Sequence, residues 1–572
     1  MRIAGISAFY HESAAALLVD GQTAFAAAEE RFTRVKHDPR LPVHAFRAGL
    51  RAAGIDLAGL DRVAYYEDPV AKLERQVATG AVEDGDPLRP EREIRERLGV
   101  EAPIDFFDHH LSHAASAFFA SDFEEAAVLV CDGVGEWATT SYYRARGTSI
   151  EKLDEVRFPH SLGLLYATLT HYLGFGVLSG EYKVMGLAPY GKPAFVDQMR
   201  ALVRSGPDGG FELDLKYFDF GDDERMHTPA LHALFGAPRR EPESPITAFH
   251  HDVARSQQAV LEEVLLEKVR WLRTRVDSPN LCMAGGVALN CVANGRLLRE
   301  GPFRKLFVQP AATDAGGALG AAYLSHVKAT GRRPAPLADV YLGPAAEGAD
   351  ELMRAMDVGA LDYRGREAEL LEATVDRLAR GEVVAWCHGR MEFGPRALGA
   401  RSILADPRDP GMRERLNRLV KKREAFRPFA PAVAAGRAAA HFALDHPSPY
   451  MLETCQVRSP LALPAITHVD GSARPQTVSG GRFAALLAAF ERRTGCPILV
   501  NTSFNVRDEP IVLTPVDAVL CVLNSEIDAL VLEDWILDRR ALPERLFRDV
   551  RAWSDFHRSL APRLADDVYT FL

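Results

Sequence analysis

The chain has 572 residues, 47% of them hydrophobic and 26% charged, with a formal net charge of −10 at pH 7. Two or three globular domains are expected at this length, and the acidic balance argues against nucleic acid as the main partner. No run of about 18 uncharged apolar residues occurs, so no membrane span is expected; the N-terminus runs straight into a strand rather than a signal peptide, and seven cysteines without a C-x-x-C pair predict a reducing, cytoplasmic setting.

Residues 3–7 predict a strand, 9–12 (Phe-Tyr-His-Glu) a polar loop, 14–19 a second strand, Asp20-Gly21 a hairpin turn and 23–28 a third strand. His11 in that loop either satisfies the loop locally or serves as a general base, because an imidazole titrates near physiological pH. His109 and His113 stand four apart, so on a helix both rings face one side. A zinc-protease helix would need a glutamate directly after the first histidine; His110 stands there instead and is expected to support rather than ligate. Strand, polar loop and strand recur over 126–146, with Asp132 in the loop Asp-Gly-Val-Gly-Glu. Two copies of this pattern predict an internally duplicated α/β domain with a nucleotide in the cleft between its halves, a layout that resembles the actin/hexokinase/heat-shock ATPase superfold.

Residues 253–275 predict an amphipathic helix with Val253, Val260, Val264, Leu265, Val269 and Leu272 on its apolar side. A strand over 280–283 runs into Ala-Gly-Gly-Val-Ala-Leu-Asn (284–290), where backbone without side chains can approach a phosphate. Asp314 opens Asp-Ala-Gly-Gly-Ala-Leu-Gly and is expected in a short acidic–glycine turn like that of Asp132. Two imidazoles with two carboxylates suit a divalent iron, manganese or zinc ion better than calcium.

Proline- and glycine-rich sequence at 330–350 predicts a linker, giving domains 1–345 and 346–572. The second opens with a helix over 367–380 and a strand over 383–387. From Arg390 to Arg427 nine arginines and two lysines face five acidic residues, a local surplus of +6. Arg408, Arg413 and Arg415 are expected on a solvated face. Arg396 beside Pro395, Arg427 between Phe426 and Pro428, and Arg474 before Pro475 are held by rigid neighbours and suit phosphate or carboxylate recognition. Asn501 and Ser503 alternate on one strand face and are expected to share a pocket.

The segments His-His-Leu-Ser-His-Ala-Ala-Ser (109–116), Asp-Gly-Val-Gly-Glu-Trp (132–137), Ser-Gly-Glu-Tyr-Lys-Val-Met-Gly (179–186), Gly-Gly-Val-Ala-Leu-Asn (285–290), Glu-Phe-Gly-Pro-Arg-Ala-Leu-Gly (392–399), Phe-Arg-Pro-Phe-Ala-Pro (426–431) and Asn-Thr-Ser-Phe-Asn (501–505) follow in order through nearly the whole chain. Together they resemble the O-carbamoyltransferase family of nodulation-factor and antibiotic biosynthesis. The resemblance implies an N-terminal domain like the tRNA threonylcarbamoyl-transfer protein and a C-terminal α/β domain like threonylcarbamoyl-AMP synthase. It implies Fe(2+) or another divalent ion on His109, His113, Asp132 and Asp314. It implies an adenine nucleotide beside Gly285, Gly286, Asn290 and Lys183, with ATP as cosubstrate. Carbamoyl phosphate would be held by Arg396, Lys421, Arg427, Arg474, Asn501 and Ser503, and His11 and Lys36 would stand near the reacting group. Carbamoyl adenylate made in the second domain would pass to the metal site, where a hydroxyl of a small-molecule acceptor takes the carbamoyl group. Two other readings compete: threonylcarbamoylation of tRNA, which the −10 charge disfavours, and a non-catalytic actin-like ATP-binding protein, which needs neither the metal constellation nor the arginine-rich domain.

Overall fold

Small apolar residues with few charges build the first strands. β1 (Arg2–Ser7), β2 (Ala14–Val19) and β3 (Gln22–Ala28) form an antiparallel meander. Asp20 and Gly21 both take positive φ, 50° and 79°, the turn geometry that follows the natural twist of a two-residue hairpin. β1 also pairs in parallel with β4 (Arg62–Tyr65), and β4 with β5 (Ile104–Phe106), so the sheet order is β3-β2-β1-β4-β5. The structure is a computed structural model that describes residues 1–80, 85–221, 225–418 and 426–550.

The same plan then repeats. β6 (Glu125–Cys131), β7 (Ala138–Arg146) and β8 (Ser149–Arg157) form a second antiparallel meander. A small hairpin follows, β9 (Val203–Ser205) with β10 (Phe211–Leu213). β11 (Asn280–Ala284) and β12 (Lys305–Val308) then add in parallel beside β6, giving the order β12-β11-β6-β7-β8. Order and strand directions match the first sheet position by position, which is the expected duplication. β8 escaped the sequence reading because its residues, Ser-Ile-Glu-Lys-Leu-Asp-Glu-Val-Arg, are mostly charged and exposed.

Each sheet hands over to a helix: His109–Phe118 follows β5 and Asp314–Thr330 follows β12. Asp314 is therefore the first residue of a helix and not part of a glycine turn. The small residues that suggested a turn serve packing instead. A Cβ on Gly320 would lie 1.8 Å from the Ser112 carbonyl oxygen, so the two helices can approach this closely only at glycine. The helix Ala248–Arg275 buries all six apolar residues expected of it.

Away from these sheets, His171, His227 and His232 cluster, with ring centroids of His227 5.5 Å from His171 and 5.0 Å from His232. Burial, reinforced by the charges of His171, His232 and Arg239, lowers His227 from 6.5 to about 4. The unfolded chain thus binds the extra proton first, and folding stability is expected to fall as pH drops from 6.5 towards about 4. Urea midpoints measured across that window should fall less steeply in His227→Asn than in the parent; parallel slopes would remove His227 as a source of the acid sensitivity.

The chain divides into two compact units, and among the described residues Glu30–Lys36 and the chain from Val340 onward make up the second. That division falls a few residues before the expected one and assigns a short N-terminal segment to the second unit. Arg31 donates to the Gly394 carbonyl at 2.9 Å, and Arg34 to those of Pro510 and Ile511 at 2.8 and 2.7 Å. The unit's main sheet uses β13 (Leu361–Asp362), β14 (Val384–Cys387), β15 (Arg401–Ala405) and β16 (Ala430–Ala434). A short pair, β17 (Cys455–Gln456) with β18 (Ser472–Ala473), stands apart. β19 (Gln476–Val478), β20 (Ile498–Ser503), β21 (Ala529–Leu532) and β22 (Trp535–Asp538) complete the order β13-β22-β21-β14-β15-β20-β16-β19. All seven cysteines are buried and none forms a disulfide. No helix among the described residues is long and apolar enough to cross a membrane.

Candidate functional site

The duplication builds the centre of the first unit. The helix after β5 brings His109 and His113, its counterpart after β12 brings Asp314, and the loop after β6 brings Asp132; one ligand atom from each lies within 4.8 Å of the others. The two Nε2 atoms are 3.1 Å apart. Asp132 Oδ2 lies 3.4 and 3.2 Å from His109 and His113, and Asp314 Oδ1 lies 3.6 and 3.5 Å from them. Ligand atoms about 3.0–3.4 Å apart are what metal bonds of about 2.1 Å require in tetrahedral or octahedral shells. The four residues therefore fit a divalent ion of the borderline class. Burial opposes protonation of His109, but the Asp132 hydrogen bond and the charges of Asp314, Glu136 and Asp132 outweigh it and raise the imidazole to about 9. Burial likewise opposes ionisation of Asp132, and the two histidines overcome it, holding its carboxyl well below the usual range.

Residues to which the sequence assigns no role support this group. Glu136 accepts from the backbone N–H of His109 at 2.9 Å and of Asp68 at 2.7 Å, fixing the start of the ligand helix; burial, with the neighbouring Asp108, raises its carboxyl to about 7. Ser161 Oγ reaches the Asp132 and Gly133 carbonyls at 3.1 and 2.7 Å and caps the helix Leu162–Tyr172. His110, as expected, stands outside the group: its Nδ1 meets Ser141 Oγ at 2.8 Å, and burial holds it neutral.

Two loops border the centre. The Gly286 N–H donates to Asp132 Oδ1 at 3.0 Å, so the glycine pair after β11 touches a ligand carboxylate directly. Gly285 has φ 87°, and a Cβ there would lie 2.3 Å from the Cys131 carbonyl oxygen. Asn290 is buried and exchanges hydrogen bonds with Gln258, which also holds Tyr166 and Glu262. Lys183 lies on the helix Glu181–Leu187 with its Nζ 5.9 Å from the Phe175 ring centroid. In the β1–β2 loop, Phe9 and Glu12 hold left-handed backbone, φ 67° and 44°, a strain that persists where a loop must be aimed. Glu12 bonds His37 Nδ1 at 2.7 Å and the hydroxyl of Thr313, the neighbour of Asp314. Burial raises the Glu12 pKa and His37 lowers it, leaving it at about 2. His11 beside it is held below its usual pKa by burial, against the charges of Asp314 and Asp132. Lys36 belongs to the segment grouped with the second unit.

The second unit builds a different surface. Asn501 on β20, Ala430 and Ala432 on β16, and Gln476 on β19 share one sheet face by their register. The alanines leave room for Asn501 Nδ2 to reach Gln476 Oε1 at 2.7 Å and the Ala397 carbonyl at 3.2 Å, while Gln476 donates to the Leu398 carbonyl at 2.7 Å. These bonds pin the loop that carries Arg396 over the sheet. Glu392 closes the loop from behind, accepting the N–H groups of Leu398, Ala400 and Arg401 at 2.7, 2.7 and 3.2 Å. Arg401, fully buried, donates to carbonyls including those of Gly389 and Leu513. Asn501 Oδ1 remains buried without a hydrogen-bond partner among the described residues. Ser503 Oγ donates to Asn505 Oδ1 at 2.8 Å. Arg396, Arg427 and Arg474 are half-buried, and Lys421 lies outside the described residues. Arg408 and Arg415, expected on a solvated face, are instead tied to Asp406 at 2.6 Å and Asp528 at 2.8 Å.

A duplicated α/β unit that gathers four metal-ligating groups beside a glycine turn, followed by an arginine- and amide-bearing unit, falls within one known family. Residues 2–83 and 89–323 match the family described as the carbamoyltransferase N-terminus, and residues 375–539 the carbamoyltransferase C-terminus. An uncharacterized protein of Synechocystis sp. is 46% identical over 95% of this chain and 97% of its own length. Nodulation protein NolNO of Sinorhizobium fredii is 39% identical over 96% of this chain and 83% of its own. A solved ROK hexokinase of Thermus thermophilus aligns over 58% of this chain and all of its own, at 15% identity and a TM-score of 0.28. The chain belongs to the carbamoyltransferase family and is an enzyme of carbamoyl transfer.

Proposed function

We propose that the enzyme moves the carbamoyl group of carbamoyl phosphate, through carbamoyl adenylate, to a hydroxyl of a small-molecule acceptor, at the expense of ATP. The observation that carries this reading is the presence of two chemically different sites, one in each unit: a His–His–Asp–Asp group beside a glycine turn, and a buried amide with an arginine-bearing loop.

In the second unit, Arg396, Arg427 and Arg474 would hold phosphate oxygens, as guanidinium groups do. The open Asn501 Oδ1 suits the amide N–H of a carbamoyl group. Carbamoyl phosphate loses phosphate to water, and the carbamate oxygen attacks the α-phosphorus of ATP, releasing pyrophosphate. In the first unit, the turn Gly285–Gly286 and Asn290 would border the adenylate. His11, kept neutral by burial, would take the proton of the acceptor hydroxyl as it attacks the carbamoyl carbon and AMP leaves. The ion held by His109, His113, Asp132 and Asp314 would neutralise phosphate charge and polarise the carbamoyl oxygen.

Arg427→Ala separates the two half-reactions. It should abolish carbamoyl phosphate-dependent exchange of labelled pyrophosphate into ATP while sparing transfer from supplied carbamoyl adenylate. Loss of both would move Arg427 out of the donor pocket. Absence of exchange in the parent enzyme, or transfer of a labelled carbamoyl group into tRNA, would overturn the proposed route.

A further inference from the structure

The helix Pro69–Thr79 is built inside out. Val70 and Val77 face outward at 55% and 62% exposure, and its one fully buried side chain is Arg75, at 0%. None of the three guanidinium nitrogens has a hydrogen-bond partner among the described residues. A guanidinium offers five donors, and a buried charge with none of them used is costly to keep. Sequence alone hides this, because Pro-Val-Ala-Lys-Leu-Glu-Arg-Gln reads as an ordinary solvated helix.

Its neighbours tie it to the β1–β2 loop that carries His11. Lys72 lies three residues earlier on the same face. Its Nζ reaches the Phe9 carbonyl at 3.3 Å and Glu67 at 2.9 Å, and stands 5.0 Å from the Tyr10 ring centroid. Lys72 is thus neutralised by Glu67, whereas Arg75 is not. The Tyr10 phenol, raised far by burial, is pulled back by the Arg75 charge, so the guanidinium acts on the loop residue next to His11. The duplication gives the direction. Two helices, this one and Arg89–Leu98, join β4 to β5, in the place where the Gly285–Asn290 segment and the helix Cys291–Glu300 join β11 to β12. Arg75 therefore belongs to the half that does not carry the nucleotide segment.

We propose that Arg75 recognises an anionic group, carboxylate or phosphate, on the acceptor alcohol, so that the acceptor is a hydroxy acid or a phosphorylated alcohol rather than a neutral polyol. This rests on the assignment of the acceptor to the His11 side.

Thermal unfolding of the full chain tests it, with glycerate, glycerol 3-phosphate, glycerol and AMP as probes. In the parent, glycerate or glycerol 3-phosphate should raise the Tm of the first unit and glycerol should not. Arg75→Met should lose that shift and unfold a few degrees higher than the parent without ligand, because it removes an uncompensated buried charge; Arg75→Lys should keep part of the shift. A lower ligand-free Tm in Arg75→Met, with the anion shifts retained, would make Arg75 structural and overturn the proposal. So would equal anion responses in parent and Arg75→Met, or a loss confined to AMP, which would assign Arg75 to the nucleotide. Pyrophosphate exchange measured on the same samples reports separately: its absence in the parent defeats the adenylate route and leaves the anion result standing.

Discussion

His113→Ala is expected to strip the divalent ion and stop transfer from supplied carbamoyl adenylate, while pyrophosphate exchange in the second unit continues. His113 Nε2 faces both carboxylates, 3.2 Å from Asp132 and 3.5 Å from Asp314, and the His109 ring alone cannot complete the shell. Losing a direct ligand should exceed the roughly 10–100-fold in metal affinity or activity that loss of an outer partner costs. Glu136→Gln supplies that comparison, since Glu136 stands outside the four-residue group and acts on His109 through the helix start and through its charge. Elemental analysis reads the ion and mass spectrometry reads the carbamoylated product. Retention of a full equivalent of metal by His113→Ala would remove His113 from the ligand set.

The second large effect is expected at Glu392, which opens the 392–399 motif but carries no role there. One of its oxygens serves three buried backbone N–H groups of the loop carrying Arg396. Glu392→Ala orphans all three, at about 1–3 kcal/mol each. The loss should be roughly 3–5 kcal/mol from the second unit, because the strands can reclaim part of it. Urea unfolding should show an earlier transition for that unit alone, and carbamoyl phosphate-dependent exchange should disappear. Glu392→Gln keeps one acceptor oxygen and should recover most of the stability. An unchanged midpoint in Glu392→Ala would mean that the loop is held by Asn501 and Gln476 alone.

Legibility in the sequence followed locality. The strand–loop–strand repeats were readable because alternation and turn chemistry act over a few residues, as at Asp20-Gly21. His109 and His113 were readable as a pair because a helix turn sets their spacing. The charged strand β8 was not readable, since its partner β7 supplies its reason to be extended. Asp314 was misread as a turn for the same cause: its glycines answer to a helix two hundred residues away, whose Ser112 carbonyl leaves no room for a Cβ.

By itself the sequence determined the α/β class, the internal repeat, the residue types of the His–His–Asp–Asp group and the family. Each of these is written in local patterns or in motifs that keep their order along the chain. Only the tertiary structure decided that Glu30–Lys36 groups with the second unit, through bonds such as Arg34 to Ile511. It alone decided that Glu392 and Gln476 hold the arginine loop, and that Arg75 is buried while the valines of its helix are not. Burial and long-range hydrogen bonding are properties of what packs above a residue, and no pattern of near neighbours records them.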